Sequence, residues 1–112
     1  MGHSMGGMGA YYMGQKYAER WAAIAPMSGT MPLDKVDYHL DRLIGTPVFL
    51  SVGEKETSTV KNAREQVKQL HELGMTAELL EIRDGTHMSM IKPAVPEIFK
   101  FFNKHKKKWF PV

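Results

Sequence analysis

The sequence predicts an α/β fold: a short, mainly parallel sheet of about three strands flanked by helices. Two observations lead there. Short apolar runs rich in β-formers alternate with segments of helical period, which is the pattern of βαβ units joined by right-handed crossovers. A hydrophobic share of 43% against 24% charged residues is enough to bury a core, and 112 residues make one domain.

Residues 5–21 read as a helix, with charge gathering at Lys16, Glu19 and Arg20. Gly6, Gly7, Gly9 and Gly14 each cost roughly 1 kcal/mol there against alanine, a cost that makes sense where backbones must approach closely. Residues 22–27 form a short apolar run, read as a buried strand ended by Ser28 and Gly29. A connecting segment over 33–44 holds a short helix through Val36, Leu40, Leu43 and Ile44. Residues 47–53 are the clearest strand, continuous and β-rich, with Pro47 at the start and Gly53 at the end. An amphipathic helix over 59–73 carries Val60, Ala63, Val67, Leu70 and Leu73, and Gly74 stops it. A strand over 76–82 leads into the loop 83–87. A last helix runs from about Ala94 into the C-terminal lysines, apolar at Val95, Ile98, Phe99, Phe101 and Phe102.

The formal charge is +3, and much of the excess sits at Lys104, Lys106, Lys107 and Lys108. Lysines at a helix end offset its negative pole and face solvent, so no nucleic-acid partner is expected. Trp109 and Phe110 behind them read as closing a core or an interface. There is no cysteine for a disulfide or a thiolate site. His39, His71 and His105 show no ligand spacing, so no metal site is expected. No apolar run is long enough for a membrane span. No basic-then-apolar leader is visible, which favours the cytoplasm.

The reactive residues cluster at predicted strand ends. Gly2-His3-Ser4-Met5-Gly6 is a G-x-S-x-G motif leading into a helix. Gly53-Glu54-Lys55-Glu56 follows the best strand, and Asp84-Gly85-Thr86-His87 follows the next. Serine, acid, then histidine is an order that can build a nucleophile, an orienting carboxylate and a base. A serine hydroxyl is a weak nucleophile until an imidazole can take its proton. That imidazole needs a carboxylate on its other nitrogen to fix its tautomer. Glu56, Glu54 and Asp84 are the candidate acids; Asp84 also suits a turn with Gly85. Of the methionines near these motifs, Met5, Met8, Met88 and Met90, some fill core and some can line an apolar pocket.

GHSMGGMGAYYMGQKYAERWAAIAPMSG, PVFLSVGEKE and IRDGTHM together resemble the C-terminal half of an α/β-hydrolase. The similarity is to the carboxylesterase branch near dienelactone hydrolase, feruloyl esterases and prolyl-oligopeptidase-type domains. The resemblance implies Ser4 as nucleophile, His87 as base and Glu56 as acid, with the Met5 N–H as one oxyanion donor. It implies a serine carboxylesterase acting on small esters without a cofactor. The chain departs from the family at Glu56, where aspartate is usual. It also has no counterpart of the earlier strand whose loop supplies a second oxyanion donor. A monomer is therefore expected to be slow, and the strand over 22–27 to keep an unpaired edge. Such an edge predicts a homodimer or higher oligomer. The rival expectation is a catalytically inactive hydrolase fragment or scaffold domain.

Overall fold

The computed structural model describes residues 1–31 and 39–106. Its elements are β1 (Gly2–His3), α1 (Met5–Lys16), β2 (Pro26–Met27), β3 (Val48–Gly53), α2 (Thr57–Glu72), β4 (Ala77–Ile82) and α3 (Ile91–Lys104). The strands form one all-parallel sheet in the order β1-β2-β3-β4, an α/β fold.

β3 explains the layering. All six of its residues are buried, as a central parallel strand requires. Val48, Leu50 and Val52 point to one face and join Tyr11 of α1 with Val60, Ala63 and Leu70 of α2. Phe49 points to the other face, among Ala94, Ile98 and Phe101 of α3, and its ring stacks 5.1 Å from Phe101. Side chains alternate along a strand, so α1 and α2 share one side of the sheet while α3 covers the other.

The expected strand count of about three becomes four, because Gly2 and His3 pair with Pro26 and Met27. The edge expected along residues 22–27 is therefore covered, and β1 and β4 are the edge strands of the sheet. The second strand is also shorter than its apolar run: regular pairing covers Pro26–Met27, with an isolated bridge from Ile24 to Val48. Pro26 has no N–H to donate, which interrupts the ladder just where the run would continue. α1 stops at Lys16 rather than at residue 21, and a short 3₁₀ turn follows over Ala18–Arg20. The Trp21 indole returns to cap it, donating to the Met13 carbonyl at 3.0 Å. α3 begins three residues before Ala94, at Ile91, because proline is tolerated in a helix's first turn and Pro93 sits there.

Two buried glutamines hold the chain on either side of residues 32–38. Gln66 accepts from the Met31 N–H at 2.6 Å and donates to the Met31 carbonyl at 3.2 Å. Gln15 accepts from the His39 N–H at 2.6 Å. Of the helix expected within 33–44, the part at Val36 lies outside the described residues, and Leu40–Leu43 forms a 3₁₀ turn. Lys107, Lys108, Trp109 and Phe110 also lie outside them. No helix among the described residues is long and apolar enough to cross a membrane.

Candidate active site

The site lies where β1, β2, β3 and β4 end, the edge of a parallel sheet at which ligands bind. β1 runs into α1 through a turn with no room to spare. A Cβ on Gly2 would sit 2.0 Å from the Gly6 carbonyl oxygen, so only glycine lets the strand and the returning helix come this close. Ser4, at the apex, has φ 58 and ψ −116, a backbone state that costs a non-glycine residue about 1–3 kcal/mol. Surrounding bonds hold it there: the Ser4 N–H donates to the Met27 carbonyl at 2.8 Å, and the Ser4 carbonyl accepts from Gly7 at 2.9 Å. The Ser4 side chain does not cap α1, so its hydroxyl is not spent on the helix. The Met5 amide, at the positive end of α1, makes no backbone hydrogen bond among the described residues.

The loops after β3 and β4 are stacked on one another. A Cβ on Gly53 would meet the Gly85 carbonyl oxygen at 2.4 Å, and the Lys55 N–H donates to that same oxygen at 2.9 Å. Asp84 has φ 56 in a turn closed by the Gly85 N–H to the Ile82 carbonyl, 3.0 Å. Glu54 accepts from the Asp84 N–H at 2.7 Å. Of the three candidate acids, then, Glu54 and Asp84 shape the loops. Glu56 is the one that meets His87, with Oε1 2.5 Å from Nδ1.

Glu56 is held on its other oxygen too. Oε2 accepts from the Gly53 N–H and from the Ser28 hydroxyl, each at 2.7 Å. Its side chain is only 8% exposed, while that of His87 is 48% exposed. Burial by itself would raise the Glu56 carboxyl. The bonds from Gly53, His87 and Ser28 outweigh it and hold the group below the ordinary carboxylate range. An ionised carboxylate only accepts, so Nδ1 of His87 carries the hydrogen and Nε2 of the neutral ring is left as an acceptor.

His3 ties this half of the site to the elbow. Its Nε2–H donates to the His87 carbonyl at 2.6 Å, and the two imidazole centroids stand 4.6 Å apart. The residue before the nucleophile candidate therefore anchors the histidine loop, a role its position in the motif did not reveal. The Ser4 hydroxyl and His87 are not hydrogen-bonded to each other. Met5 and Met88 are exposed beside the site, whereas Met90 is fully buried beneath α3. Ser28 was missed: in the sequence it only ends an apolar run, and the buried position of its hydroxyl depends on β2 lying against β3. No group of three or more metal-ligating side chains occurs among the described residues.

No protein-family model matches the chain, and a search of curated proteins found no match either.

Proposed function

We propose that this chain is a serine carboxylesterase of the α/β-hydrolase type, acting on small carboxylic esters through an acyl-enzyme on Ser4. The observation that carries the reading is the Glu56–His87 pair, a buried ionised carboxylate 2.5 Å from an exposed imidazole, on a loop that His3 ties to the Ser4 turn. In this reaction Ser4 Oγ attacks the acyl carbon while His87 Nε2 takes its proton. Glu56 stabilises the imidazolium, and the Met5 N–H receives the developing oxyanion. The tetrahedral adduct collapses, and His87 passes the proton to the departing alcohol. Water, deprotonated by the same nitrogen, then releases the acid and restores Ser4. Exposed Met5 and Met88 beside the reacting groups favour short, accessible acyl groups.

One donor leaves an oxyanion hole weak, since each donor is worth about 10²–10³ in rate. We further propose that the chain associates as a homodimer or higher oligomer. Apolar surface around the β1 edge supports association: Met1, Met13 and Trp21 are exposed beside a groove of about 340 Å³.

The test is hydrolysis of p-nitrophenyl acetate by the chain and by Ser4→Ala, across concentrations that span dissociation. The expected result is turnover that vanishes with Ser4→Ala and rises per chain with assembly. Equal rates for the two proteins would leave the second reading, an inactive hydrolase scaffold, which the missing Ser4–His87 hydrogen bond favours.

A further inference from the structure

Ser28 lies on the turn after β2, buried, with φ 50. That backbone state disfavours any side chain, and glycine would adopt it without strain. The turn is fixed by the backbone alone, through the Ser28 N–H donating to the Ser51 carbonyl at 2.7 Å. What serine adds to the turn is one hydroxyl. That hydroxyl donates to Glu56 Oε2 at 2.7 Å, beside the Gly53 N–H on the same oxygen. Two donors from two different strand ends pin Oε2, so the carboxylate plane cannot rotate and Oε1 is left for His87 Nδ1.

We propose that Ser28 is a positioning residue: its hydroxyl fixes the carboxylate plane of Glu56 and so orients His87 toward Ser4. This rests on the esterase reading for its consequence in turnover, but the link between Ser28 and Glu56 can be read without any activity. A hydrogen bond given to a charged oxygen favours the charged form, so its loss raises the carboxyl. Rotation of the freed carboxylate weakens its hold on the imidazole.

The variant to make is Ser28→Gly, which deletes the hydroxyl while relaxing the backbone, so that loss of fold does not confuse the result. Three readouts are taken: the thermal melt, the Glu56 carboxyl followed by carbon NMR against pH, and Ser4-dependent ester turnover. The expected results are a cooperative melt that shows the variant folded and a Glu56 midpoint moved upward. The turnover number should fall about tenfold with KM unchanged, the scale of one hydrogen bond to a charged group. An unmoved midpoint in the folded variant would overturn the role of Ser28 whatever the activity. A moved midpoint with unchanged turnover would overturn its positioning of His87. If the parent shows no Ser4-dependent turnover while the midpoint moves, the esterase reading fails and the hold of Ser28 on Glu56 stands.

Discussion

The half of the molecule built from β3, α2 and β4 and the half built from β1, α1 and β2 follow different rules. In the first, β3 and β4 pair over six residues each, and α2 buries Val60, Ala63 and Leu70 on the sheet. In the second, β1 and β2 are two residues each, and α1 lies close on the sheet at Gly7, where a Cβ would meet the Met27 carbonyl oxygen at 2.9 Å. Gly6 and Gly9, expected to serve close approach as well, have open space around them. The first half is held by apolar burial, which gains with every methylene removed from water. The second adds close backbone contacts to its own buried Tyr11, Ala25 and Met27, and it carries the strained Ser4 and Ser28. The site forms where the two halves meet, with Glu56 and His87 from the first and Ser4 and Ser28 from the second.

Substitutions that act on one half alone sharpen this contrast. Leu70 is fully buried under α2, and Leu70→Ala should lower unfolding free energy by about 2–5 kcal/mol. Denaturant titration measures the loss, while Ser4-dependent turnover per folded molecule stays at the parent value. A fall in turnover per folded molecule would break the division.

A smaller effect of opposite sign is expected in the other half. The Tyr11 hydroxyl of α1 is wholly buried without a hydrogen-bond partner among the described residues, and burial pushes its ionisation far above the ordinary tyrosine range. Removing an unsatisfied polar group while keeping the ring should help, so Tyr11→Phe should raise stability by about 1 kcal/mol. A lower melting temperature for Tyr11→Phe would mean the hydroxyl has a partner.

The smallest effect is confined to acid. Glu56 titrates lower folded than unfolded, so its contribution is complete above the unfolded glutamate value, about 4.3, and is lost as pH falls through the depressed one. Glu56→Gln should therefore flatten that part of the acid limb in melts recorded against pH. An acid limb identical to the parent's would place the stabilising carboxylate elsewhere.

The two halves were also unequally legible in the sequence. The strand at 47–53 and the helix at 59–73 were placed within two residues of β3 and α2, because burial writes a period into the chain. β1 went unseen because two residues, one a glycine, leave no hydrophobic pattern; their pairing is a backbone event. The helix over 5–21 ran too long because no local rule foretold that Trp21 would fold back on Met13. At the site, the spacing of Ser4, Glu56 and His87 could be read from strand ends. That Glu56 rather than Glu54 meets His87 is visible only in the stacked loops. Ser28 and His3 reach their partners across 28 and 84 positions of chain, and no motif encodes such a contact.

The most direct measurement is covalent labelling of the chain by a fluorophosphonate, compared with Ser4→Ala and His87→Ala under identical folded conditions. Only a serine whose proton has somewhere to go reacts readily with such a probe. The predicted result is one adduct, mapped to Ser4 by mass spectrometry, absent from Ser4→Ala and strongly slowed in His87→Ala. An unlabelled parent chain, or equal labelling of the parent and His87→Ala, would contradict an activated Ser4 and with it the esterase.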